Sequence, residues 1–137
     1  MIDSGASCCF ISEALTRGNE KIRSRLESSF TPVELATGVR TEAQHVAIGV
    51  SVRIGSYSDQ LSFVEVPLKG CDAILGMTWL VKYNPATNWK NGTMSCLSRW
   101  KSASFRYPIQ SINSFSAFTS HYSHYQDHHT IMFHPTD

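Results

Sequence analysis

The sequence predicts an all-β domain over residues 1–97 with one short helix near its C-terminal end, followed by a loosely ordered tail over residues 98–137. Three observations carry this expectation. Runs rich in β-branched and aromatic residues fill the centre of the chain and are separated by turn residues. In HVAIGVSVRI, apolar residues fall at Val46, Ile48, Val50, Val52 and Ile54, a period of two that implies a strand with one buried face. After Leu97 aliphatic residues become sparse and Ser, His, Tyr and Phe take over, so burial there offsets little of the entropy of ordering.

The elements follow in order. From Ser7 to Thr16, Phe10, Ile11, Ala14 and Leu15 recur at helical spacing and predict a short helix or turn. The polar stretch from Arg17 to Ser29 reads as a surface connection. Strands are expected at Phe30 to Ala36, Gln44 to Ile54 and Gln60 to Val66, with turns at Thr37-Gly38, Gly55-Ser56 and Lys69-Gly70. In CDAILGMTWLVKYNP a short apolar strand stops at Gly76, and helical spacing resumes at Met77, Leu80 and Val81 until Pro85 ends it. Trp89 to Met94 predicts a hairpin, because Asn91-Gly92 suits the positive φ angles of a type I′ turn. Asn91-Gly92-Thr93 also fits a glycosylation acceptor, expected to stay unmodified in a chain that is not secreted.

At 137 residues there is room for one domain with its own core and little room for a second. Twelve basic against eleven acidic residues give a formal charge of +1, which argues against electrostatic capture of nucleic acid or of an anionic membrane. No apolar run approaches the roughly 18 residues of a membrane span, and the N-terminus lacks the basic-then-apolar order of a signal peptide. A cytoplasmic, reducing setting is expected. Cys8, Cys9, Cys71 and Cys96 form neither a disulfide framework nor a CxxC pair, so they read as free thiols, buried or half-buried. His121, His124 and His128 would share a face of a helix and could bind a metal there, but the intervening residues are weak helix formers and a solvated tail is the simpler reading. Neither metal nor cofactor is expected.

Asp3-Ser4-Gly5 carries the chemistry. Asp and Ser bond their own backbone and Gly tolerates positive φ, so the tripeptide suits a plain turn. It equally suits the catalytic loop of a carboxylate protease. That chemistry needs two carboxylates sharing a proton, one ionised to activate water and one protonated to polarise the carbonyl. Asp59, Asp72, Asp127 and Asp137 are not followed by Ser-Gly or Thr-Gly, so one chain supplies one such loop. A two-fold dimer would supply the second.

Two motifs in order, MIDSGAS with Phe10-Ile11-Ser12 and then DAILGMTWL at Asp72 to Leu80, closely resemble the retropepsins, in particular the protease segment of gypsy-type LTR retrotransposon polyproteins. Tyr83-Asn84-Pro85 and Trp89-Lys90 extend the likeness, which covers residues 1–97. The resemblance implies a closed β-barrel or sandwich of the acid protease fold and a homodimeric aspartic endopeptidase acting on an extended peptide or polyprotein. It implies that Asp3 is catalytic and that Ser4 bonds across to the partner loop. Gly5 would permit the loop's close approach, Ala6 and Ser7 would line the substrate cleft, and Ile74, Leu75 and Gly76 would support the loop from beneath. A flap is implied over Val33 to Thr41, with Ala36, Thr37, Gly38 and Val39 facing the peptide. Direct binding of nucleic acid or membrane is not implied. Family members carry a strand upstream of the catalytic loop, whereas only Met1 and Ile2 precede Asp3, so the sequence reads as truncated at its start. The alternative is an inactive retroelement relic that keeps the fold as a dimerisation or interaction module.

Overall fold

The computed structural model describes residues 1–34, 38–98 and 101–106. Along the chain run β1 (Phe10–Ser12), α1 (Glu13–Gly18), α2 (Glu20–Arg23), β2 (Leu26–Glu34), β3 (Arg40–Ile54), β4 (Tyr57–Val66), β5 (Ala73–Ile74), α3 (Met77–Tyr83), β6 (Ala86–Asn88), β7 (Thr93–Ser98) and β8 (Lys101–Arg106). Sheet dominates and helices are few, as expected. The described strands form two open sheets, ordered β2-β3-β4-β1-β5 and β6-β7-β8, rather than one closed barrel.

Phe10–Ser12 corrects the helix expected from Ser7 to Thr16. It is a strand, parallel to β4 on one side and antiparallel to β5 on the other. Ile11 enters the main core while Phe10 packs against a second, smaller cluster, so the adjacent pair satisfies opposite faces of a sheet, not one face of a helix. The helix begins at Glu13, where the Ser12 hydroxyl accepts the Leu15 N–H at 3.1 Å. The connection expected from Arg17 to Ser29 is also more structured. Asn19 caps α2 by accepting the Ile22 N–H at 3.1 Å, buried Ile22 anchors that turn, and β2 has already started at Leu26.

The main core lies on one face of the large sheet: Ile11, Ala47, Val50, Val52, Phe63, Ala73 and Leu75, with Tyr57 and Trp79 closing it. Trp79 Nε1 donates to the Tyr57 hydroxyl at 2.9 Å, and the rings meet edge to face at 5.8 Å. Burial raises the pKa of the Tyr57 phenol well above its ordinary value, so it remains a neutral hydroxyl. Tyr57→Phe keeps the ring and strands the buried indole N–H. A loss of about 1–3 kcal/mol is expected, measurable by urea unfolding with an unchanged m-value.

Gly76 and Asn84 bound α3, and Asn84 adopts the left-handed conformation (φ 38°) while its N–H bonds to the Leu80 carbonyl. The hairpin after it is present, but its turn differs from type I′. Asn88 pairs with Thr93, leaving four loop residues, and of the Asn91-Gly92 pair only Gly92 has positive φ (64°). Asn88 Oδ1 accepts the N–H groups of Lys90 and Asn91, so an Asx arrangement at the first residue organises the loop. β8 pairs with β7 beyond the Leu97 boundary, supplying the ladder partners that an edge strand otherwise lacks. Residues 107–137, with His121, His124 and His128, lie outside the described residues. Among the described residues no helix is long and apolar enough to cross a membrane.

Candidate active site

The Asp3 loop is built by backbone stitching. Ile2 bridges Leu75 in parallel. The Asp3 N–H donates to the Leu75 carbonyl at 3.0 Å, the Leu75 N–H to the Met1 carbonyl at 2.8 Å, and the Met77 N–H to the Ala6 carbonyl at 2.7 Å. Within the loop, the Ala6 N–H reaches the Asp3 carbonyl at 3.3 Å and the Gly5 N–H donates to Asp3 Oδ1 at 2.8 Å. One carboxylate oxygen is thus held in place by a main-chain donor. The loop rides on the segment from Leu75 to Met77.

Gly76 decides whether that contact can exist. A Cβ there would lie 2.1 Å from the Cys8 carbonyl oxygen and 2.7 Å from that of Ala6. Both are backbone atoms. Two segments of main chain therefore approach closely enough to exclude any side chain, the use of glycine that a bare strand end would not require.

Of the residues expected in the site, Asp3 and Ala6 are half-buried and Ser4, Gly5 and Ser7 are exposed. Ile74, Leu75 and Gly76 are buried, and Leu75 and Gly76 lie directly against the loop. Leu75 belongs to the main core with Ile2 packed on it, so strand alternation places Asp3 on the opposite face, with Phe10 and its cross-strand partner Ile74. Phe10 packs, with Val64 and Leu68, against the smaller cluster of Val33, Ala43 and Val66. The stem of the β2–β3 hairpin consequently lies over the Phe10 side of the sheet. Val33 pairs with Thr41 and Glu34 with Arg40, and exposed Gly38 (φ 79°) and Val39 lie at the tip. Ala36 and Thr37 lie outside the described residues. Among the described residues no hydrogen bond joins the hairpin tip to the Asp3 loop.

Among the described residues, Asp3 is the aspartate this loop carries. Asp59 is engaged by Lys82 at 3.0 Å, and the Asp72 carbonyl accepts the Ser12 N–H at the start of β5. Among the described residues no group of His, Cys, Asp or Glu could hold a metal ion. Cys71, which the sequence reading left as an ordinary thiol, lies close enough to the loop to feel it. Burial raises the Cys71 pKa, and the charges of Asp72 and Asp3 add to the rise while the N-terminal amine opposes it. Nothing in its spacing signalled this, because a loop of unpredicted path brings it back to Asp3. The four cysteines are free, with Cys9 and Cys96 buried.

Among known families, the model of the PEG10/RTL1 protease domain matches residues 1–104. No curated protein matches the chain.

Proposed function

The chain belongs to the PEG10/RTL1 protease domain family, a retrotransposon-derived, gypsy-type group of retropepsin-like domains, and from that premise we propose that it is an aspartic endopeptidase acting as a homodimer. The observation that carries this reading is the Asp3-Ser4-Gly5 loop itself, stitched by backbone hydrogen bonds to Leu75–Met77 over a glycine that admits no side chain. Such a loop holds one carboxylate firmly at a half-exposed position. An isologous dimer brings two of them to the axis.

In this reading the two Asp3 carboxylates share one proton. The ionised member takes a proton from a water lying between them. The protonated member donates to the carbonyl oxygen of the peptide as the water attacks its carbon. Ser4 bonds to the partner's loop and fixes the pair, Gly5 supplies the turn, and Ala6 and Ser7 face the peptide. Ile74, Leu75 and Gly76 hold the loop from below. The hairpin tip, with Ala36, Thr37, Gly38 and Val39, bonds to an extended polyprotein segment as an added strand and excludes water when closed. Closure of the two sheets into a barrel belongs to the same proposal.

Two measurements test the reading together. Pepstatin is expected to inhibit cleavage of a peptide substrate. Specific activity is expected to fall about tenfold for each tenfold dilution below the dimer dissociation constant, because only the dimer carries two carboxylates. Constant specific activity from a monomer, checked by sedimentation, would contradict it. A dimer that cuts no peptide would instead mark a dimerisation or interaction module.

A further inference from the structure

The β2–β3 hairpin leaves the large sheet at one level. β3 pairs with β4 from Val46 to Ile54, whereas Arg40 to Ala43 pair only with β2. At the same level β2 changes register between Ser28 and Thr31, opposite the segment from His45 to Ala43, and a bulge of this kind bends its strand. His45 stands at the departure point, and its Nδ1 lies 3.0 Å from Glu65 Oε2 on β4. The other oxygen of the same carboxylate, Oε1, accepts the hydroxyl proton of Thr16 on α1. Thr16 is buried and Glu65 retains only 11% of its side-chain exposure, while His45 keeps 45%. One nearly buried carboxylate thus joins the hairpin, the sheet and the first helix. Beside it a cavity of about 550 Å³, rimmed by Glu13, Arg17, Arg23 and Glu42, leaves the hairpin base room to shift.

We propose that Glu65 and His45 are positioning residues that latch the base of the hairpin and so hold its stem, Arg40 to Ala43, over the Phe10 side of the sheet. The latch acts through the hairpin and touches no substrate. Its link to catalysis rests on the protease reading above, in which the hairpin is the flap. Removing the imidazole frees β3 above Val46 to rock into the cavity, while the paired region below it stays in the sheet.

The full chain is compared with His45→Ala, Glu65→Ala, His45→Gln and Thr16→Ser. Amide hydrogen exchange of the uncomplexed protein is expected to quicken about tenfold at Thr41 to Gln44 in His45→Ala and to stay unchanged at Val50 to Ile54. KM for a peptide substrate should rise about five- to tenfold with kcat within about twofold, and His45→Gln and Thr16→Ser, which keep a hydrogen-bonding group, should restore most of both. Glu65→Ala should behave as His45→Ala or more severely, and the half-exposed position of His45 keeps the test valid if Glu65→Ala does not fold. Unchanged exchange, uniformly faster exchange or a selective change with unaltered KM would each overturn the proposal. Absence of cleavage by the wild type would overturn the protease reading and the positioning role with it, while selective exchange would still register the latch.

Discussion

Asp3→Asn is expected to lower peptide hydrolysis by about 10³-fold or more while leaving the fold and the dimer in place. The asparagine is nearly isosteric, and its Oδ1 can still accept the Gly5 N–H that bonds Asp3 at 2.8 Å. Asp3 is half-exposed, so the change removes little packing. What it removes, in the proposed mechanism, is the oxygen that takes the proton from water. Circular dichroism and sedimentation should be unchanged, and the loss should appear in kcat more than in KM, because peptide contacts along the cleft remain. Cleavage retained within about tenfold would deny Asp3 a catalytic role.

The second large effect concerns Gly76. With a Cβ 2.1 Å from the Cys8 carbonyl oxygen, alanine cannot be accommodated by turning a side chain, because the opposing atoms belong to the main chain. The loop carrying Asp3 must move away from Leu75–Met77. That breaks the bonds from Asp3 and Met77, 3.0 and 2.7 Å long, which define the site. Gly76→Ala is therefore expected to cost about 3 kcal/mol or more and to lower Tm by more than about 10 °C, with activity lost even where the protein remains folded. Gly18→Ala is the control. Nothing lies within 4 Å of a Cβ at that position, and a change within about 1 kcal/mol is expected. Equal effects of the two substitutions would show that the close approach at Gly76 does not hold the loop.

Local chemistry made much of this legible. Val46 to Ile54 is a strand in the structure, but not with the single buried face its alternation predicts: the register shifts between Ala47 and Val50, where Gly49 has positive φ, so Ala47, Val50 and Val52 are buried and Ile48 is exposed. Gly76 ends the strand segment and opens α3, and Pro85 follows its end. Asp3 and the segment from Ile74 to Gly76 are brought together by the fold, although the sequence separates them widely. That pairing was readable only as a resemblance between two motifs. Periodicity within either could not have shown it.

The misreadings share a cause: a tertiary partner overrode a local pattern. Phe10 and Ile11 looked helical in isolation and became a strand because β4 and β5 offer ladders on both sides. Arg17 to Ser29 looked featureless because a single Ile22 suffices to anchor α2 once a core exists to receive it. Asn91-Gly92 suggested a two-residue turn, yet the Asn88 side chain captured the backbone donors first. Glu65 and His45, twenty residues apart, gave no signal at all, since each stands on its own strand and only the pairing of β3 with β4 brings them together.

The central claim is that two copies of Asp3 make one site. Wild-type chain and Asp3→Asn chain, mixed at fixed total concentration above the dimer dissociation constant and allowed to exchange subunits, test it most directly. If both carboxylates are needed, activity follows the square of the wild-type fraction, about a quarter at equal mixing. Activity linear in that fraction, about half at equal mixing, would show that each chain works alone and would contradict the shared dyad.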